Sequence, residues 1–319
     1  MVTPLSWLAR RVSFGWGSLR VAATATVVTS VLIIVTGGVV RVTGSGLGCP
    51  TWPSCTGEGL APTPEMGIHG AIEFGNRLLT VVLCVAVGAL IIVARCQREP
   101  DRAVLRAAWL QFWIIVLNAL VGGVTVLARL SPYVVAAHLI AAMLLLTAAV
   151  YTFELVERLD RSTATATADP ALAVRARWLV AATAVLVVIG TAVTGSGVHA
   201  GDSSDVHRMP FDWTTMVIIH AVAAVVTFAV AVSSLLIARR SGADSVASRA
   251  SVFIALLLAQ GFVGVLQSVG VAAEALVVVH MLGAALIWAG ALRVLFATDP
   301  GLGGSRAAFH ASVAETSRI

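Results

Sequence analysis

The chain has 319 residues, 58% of them apolar, with 21 basic and 16 acidic side chains and a mean hydropathy of +0.94. A soluble globular domain carries about a quarter of its residues as charge, so that class is excluded. The formal net charge of +5 rests on arginine alone, because the sequence holds no lysine.

Cutting the chain at its charges leaves eight long uncharged runs: 21–40, 78–94, 107–128, 130–153, 178–201, 213–238, 250–273 and 275–292. Each reaches about 17 residues or more, enough to cross a bilayer as a helix. Lipid offers the backbone no hydrogen bonds, so these runs are read as helices despite their Gly and β-branched residues. The expected fold is an all-α membrane protein of eight transmembrane helices.

Arginine placement sets the expected orientation. Seventeen of the 21 lie before helix 1, between helices 2 and 3, 4 and 5, or 6 and 7, and after helix 8, whereas Arg41, Arg77, Arg129 and Arg208 lie at the other ends. Cytoplasmic sides collect arginine, so both termini are expected in the cytoplasm of a multi-pass cell-membrane protein. A pI near 9.7 then reflects this topology and anionic lipid, with no nucleic-acid partner. The segment ARRVSFGW resembles a twin-arginine signal. Run 21–40 is nevertheless too long for a signal core and no small-residue cleavage site follows, so the segment is read as a cytoplasmic anchor.

The polar stretch 161–174 falls at mid-chain, and the sequence on either side repeats. VTGSGLG at 42–48 returns as VTGSGVH at 193–199. Asn118-Ala-Leu-Val-Gly122 returns as Gln260-Gly-Phe-Val-Gly264, and His138-Leu-Ile-Ala-Ala as His280-Met-Leu-Gly-Ala, both 142 residues on. Four helices per half with both termini on one side make a parallel repeat. The expected organisation is a cytoplasmic segment 1–20, a four-helix bundle 21–157 with an outer loop 42–68, and a linker 158–177. A second four-helix bundle 178–297 and a tail 298–319 follow.

His138, His220 and His280 fall at similar depth, roughly 10 Å below the outer starts of helices 4, 6 and 8. In the C-terminal half, His220 and His280 are placed to oppose each other across a bundle core, the arrangement that bis-histidine ligation of haem requires. A lone intramembrane histidine serves as well in an interhelical hydrogen bond or a proton path. His199 and His207 stand beside Asp202 and Asp205 and read as solvated loop residues, and His310 as tail.

The N-terminal half differs. The position matching His220 is Asn76, and His69 lies two turns above it on the same helix face. A porphyrin there has one secure ligand, His138. Glu73 shares the face of His69, Asn76 and Arg77, and an acid within a membrane helix is costly unless paired or used. An ion pair with Arg77 and a catalytic role account for it equally well, and the C-terminal half has no equivalent. Glu274 reads as a charge on a helix N-terminus. Cys49 and Cys55, within GCPTWPSC in the first outer loop, suit a disulfide of structural or redox use. Cys84 and Cys96 read as buried or inner-face thiols.

GGVVRVTGSGLGCPTWPSC, IEFGNRLLT, GGVTVLARLSPYVVAAHL, GTAVTGSGVHAGD and EALVVVHMLGAALIW together resemble the haem A synthase family over residues 36–293. The resemblance implies oxidation of a haem O methyl group to a formyl group by successive hydroxylations with water, giving haem A for cytochrome oxidase. It implies haem b on His220 and His280, substrate haem at His138, a functional carboxylate at Glu73 and the cysteine pair Cys49 and Cys55. Many members carry His three residues after the Glu; Asn76 stands there in this chain, which leaves His69 as the candidate replacement. Arg41 and Arg77 are expected beside haem propionates. Haem O synthase and a membrane electron acceptor are the expected partners. A di-haem electron-transfer or haem-carrier protein is the alternative, and it leaves Glu73 and the cysteine loop without a task.

Overall fold

The computed structural model describes residues 7–57, 59–160, 169–197, 206–269 and 274–298. Eight long helices carry the chain: α1 Trp16–Val42, α2 Gly67–Arg95, α3 Arg102–Leu127, α4 Pro132–Asp160, α5 Pro170–Ser196, α6 Trp213–Arg240, α7 Asp244–Ser268 and α8 Glu274–Ala297. All eight are long and apolar enough to cross a membrane, and the chain is a multi-pass membrane protein. Among the described residues there is no strand, only an isolated bridge between Phe14 and Gln97. His199, Asp202, Asp205 and His310 lie outside the described residues.

The helices outrun the uncharged segments because paired charges fit inside a helix. Glu73 and Arg77 pair within α2, so it begins at Gly67 rather than near 78. Arg20 of α1 pairs with Glu157 of α4 at 2.6 Å, and both helices extend past these residues. Helices α4 and α5 also enter both ends of the segment 158–177 expected as linker. Asp101, Asp169 and Asp212 cap α3, α5 and α6 by accepting hydrogen bonds from first-turn N–H groups. At Asp212 the Thr215 hydroxyl and N–H, each at 2.7 Å, hold the carboxyl below its usual range.

Helix pairing repeats between the halves: α1 lies against α2 and α4, and α5 against α6 and α8. One buried cluster joins Leu19, Leu83, Val87, Leu90, Ala108 and Leu145 of α1–α4. A second joins Leu172, Leu179, Ala231, Phe253 and Ala291 of α5–α8. A third, including Ile34, Leu146, Ala285 and Leu292, seals the halves together through α1, α4 and α8. At this seam Trp288 Nε1 donates to the Thr147 hydroxyl at 2.9 Å.

Both bundle cores fill the arginine-rich end. Towards the cysteine-loop end of the C-terminal bundle the packing thins: α6 has no buried residue before Thr227, α7 none after Leu257, and α8 none before Ala285 among the described residues. His220 and His280 stand at this looser end.

At the arginine-rich end, Glu154 of α4 is 1% exposed and bonds Arg293 and Arg249 of the other bundle, each at 2.9 Å. Arg158 also donates to the Phe296 carbonyl across the same seam. Truncating one member of a buried ion network leaves its partners uncompensated. Glu154→Ala is therefore expected to remove roughly 3 kcal/mol of stability. A lowered thermal midpoint in detergent, lowered also in the neutral Glu154→Gln and restored in Glu154→Asp if its carboxylate still reaches the arginines, would show it; an unchanged midpoint would remove the network from the account.

Candidate haem sites

His220 is the eighth residue of α6, and His280 and His138 are the seventh of α8 and α4, so all three sit about two turns below the cysteine-loop end. The His220 and His280 rings lie with centroids 6.4 Å apart and planes tilted by 51°. An imidazole nitrogen binds a metal at about 2.0 Å and its centroid lies roughly 1.1 Å further back, so two rings astride one iron have centroids about 6.2 Å apart. The observed separation fits that span. The buried Nδ1 atoms of His138, His220 and His280 have no hydrogen-bond partner; the Leu186 backbone interacts with the His220 ring, whereas nothing of the kind accounts for the polar atoms of His138 and His280. No group of three or more His, Cys, Asp or Glu among the described residues is arranged around a bare ion. Two imidazoles alone suit a metal whose equatorial ligands come from a macrocycle.

The N-terminal bundle, which carries His138, holds a different set of polar groups. Asn76 is met from α1 by Thr36, whose hydroxyl donates to Oδ1 at 2.7 Å. His69 is exposed near the start of α2, and its Nδ1 lies 3.0 Å from the Ser45 hydroxyl of the α1–α2 loop. That loop roofs the bundle. Its disulfide, Cys49–Cys55, is formed and buried, and Trp52 lies so close to Gly123 of α3 that a Cβ there would meet the indole at 2.5 Å.

Glu73, 5% exposed, fastens this roof. One carboxylate oxygen accepts the Cys49 N–H at 2.6 Å; the other accepts Arg77 Nη2 at 2.5 Å and Nε at 3.2 Å. Arg77 gives its remaining donors to the carbonyls of Cys49, Thr51 and Ser54 at 3.1–3.2 Å. All five of its N–H groups are thereby engaged within the protein, so Arg77 has a structural task. Arg41 donates to the Thr194 carbonyl of α5 at 2.9 Å, tying the two halves together. His207 is exposed. Cys96 is buried, whereas Cys84 is exposed on the outside of α2, contrary to the reading of it as buried or inner-face.

Sequence reading found the histidines from their depth and the acid from its helix face. It missed Glu154 with its two arginines, the Thr36–Asn76 contact and the Trp52–Gly123 contact, which depend on how separate helices and the loop meet.

The fold and site define an eight-helix membrane protein of two repeated bundles, with two neighbouring intramembrane histidines in one and a roofed polar site in the other. The chain belongs to the COX15-CtaA family, described as cytochrome oxidase assembly protein, whose profile matches residues 20–71 and 66–292. It is 31% identical over 124 residues to a protein named heme A synthase from Geobacillus thermodenitrificans, covering 38% of each chain. It is 29% identical over 125 residues to the heme A synthase of Geobacillus kaustophilus (strain HTA426), again 38% of each. To that of Lysinibacillus sphaericus (strain C3-41) it is 29% identical over 140 residues, 44% of this chain and 45% of the relative. The chain thus spans under half the length of these curated relatives.

Proposed function

We propose that this protein is a haem A synthase, with haem b between His220 and His280 and substrate haem O in the N-terminal bundle at His138. The observation that carries the reading is a 6.4 Å separation of two histidine rings in one bundle, paired with a buried carboxylate, Glu73, and one intramembrane histidine, His138, in the other. In this reading the cysteine loop faces outward, both termini are cytoplasmic, and the substrate is supplied by a haem O synthase.

Converting a methyl to a formyl group with water releases four electrons and four protons in two hydroxylations, the second giving a gem-diol that loses water. Haem b supplies one-electron transfer towards a membrane acceptor. His138 holds the substrate by its iron. Asn76 and Thr36 do not provide a second strong ligand, so the substrate is bound on one side and product can leave. Glu73 takes protons and stabilises positive charge developing at the substrate edge. Arg77 and the Cys49 N–H orient that carboxylate, and the disulfide loop keeps bulk water out.

The test supplies haem O to membranes that contain this protein and no terminal oxidase, and follows the porphyrins by mass spectrometry. A hydroxylated intermediate followed by haem A is expected. Unchanged haem O with haem b still bound would replace the synthase by a haem-carrying electron-transfer protein.

A further inference from the structure

Each of the three half-buried intramembrane histidines meets a glycine on the helix before it. A Cβ built on Gly122 of α3 would lie 3.1 Å from Cε1 of His138; on Gly190 of α5, 3.1 Å from Cε1 of His220; on Gly264 of α7, 3.5 Å from Cε1 of His280. The same ring atom is nearest in all three. Gly122 and Gly264 also keep the 142-residue spacing of His138 and His280, so seat and histidine repeat as a unit.

We propose that Gly122, Gly190 and Gly264 are positioning residues that set the direction of the histidine nitrogens, an inference that rests on these histidines being haem ligands. The last torsion of a histidine is broad and two-fold, so the side chain alone does not aim its nitrogen. A metal bond needs that aim fixed by surrounding groups. The bare glycine surface lets the Cε1 edge lie against the neighbouring helix and stops the ring's rotation. A methyl group at 3.1 Å displaces the ring by a few tenths of an ångström; one at 3.5 Å is an ordinary contact.

The fourth quadrant is built differently. In the VTGSG alignment the residue matching Gly190 is Val39, and α1 meets α2 through the Thr36–Asn76 hydrogen bond. The glycine seats therefore mark which quadrants hold an imidazole: two in the C-terminal bundle and one in the N-terminal.

The experiment purifies the wild-type protein, Gly190→Ala, Gly264→Ala, Gly264→Val, His220→Leu and the control Gly261→Ala, whose added Cβ meets nothing within 4 Å. Haem b per protein and the low-spin spectrum are read in each, with a monodisperse peak in size-exclusion chromatography required. Alanine favours a helix more than glycine does, so a loss in Gly190→Ala does not arise from a weakened helix. Gly190→Ala and Gly264→Val are expected to bind haem b roughly 10-fold more weakly, as supporting-shell changes do, with a high-spin component appearing. Gly264→Ala and Gly261→Ala should match wild type. Loss of haem b in His220→Leu with a wild-type spectrum in Gly190→Ala overturns the seats alone. Retention of haem b in His220→Leu overturns the ligand assignment and the seats with it. If Gly190→Ala does not give a monodisperse protein, Gly264→Val against Gly264→Ala decides by the same spectrum.

Discussion

Glu73→Gln is expected to lower haem A formation about 100-fold or more, the scale of a lost general base, while haem b stays bound. The substitution keeps the size of the side chain and an oxygen for the Cys49 N–H, and removes the negative charge. Arg77 still has the carbonyls of Cys49, Thr51 and Ser54 to hold, so the loop remains over the bundle. In the proposed arrangement haem b lies in the other half and does not sense the change directly. The ion pair makes the experiment necessary, since three hydrogen bonds already engage the carboxylate and a purely structural Glu73 is consistent with them. Full haem A output from Glu73→Gln would assign Glu73 to anchoring the loop and leave the proton acceptor to be sought elsewhere.

The eight helices were legible because a bilayer admits few alternatives to a long apolar helix. Their ends were not, because a charge ends an uncharged run on paper but not in a fold that pairs it. Arg20 finds Glu157 and Glu73 finds Arg77. The depth of His138, His220 and His280 follows from the helical rise, so their common level was readable; the 6.4 Å approach of the His220 and His280 rings needed the placement of α6 and α8 within the bundle. The disulfide was open among several uses in the sequence and is formed in the structure. The position of the loop over Glu73 was hidden, because it depends on Arg77 gathering carbonyls from residues 23 to 28 positions away. Arg249 and Arg293 served only as orientation signals in the sequence. Their second role appears once α4 brings Glu154 between them.

The division of labour between the bundles predicts opposite fates for two histidine substitutions. Leu fits an apolar helix but offers no ligand, so under the proposed assignment His220→Leu would take away a residue that holds haem b, whereas His138→Leu would take away the residue that holds the substrate. Their rings belong to separate bundles, and neither substitution touches the other's seat. The deciding measurement is the extracted porphyrin content per protein of wild type, His220→Leu and His138→Leu, purified from cells that also make haem O. Wild type should yield haem b together with haem O, haem A or a hydroxylated intermediate. His220→Leu should lose most of its haem b, and His138→Leu should keep haem b and lose the others. Equal loss of every porphyrin in both variants, or haem b alone in wild type with haem O abundant in the cell, would contradict a cofactor half and a substrate half.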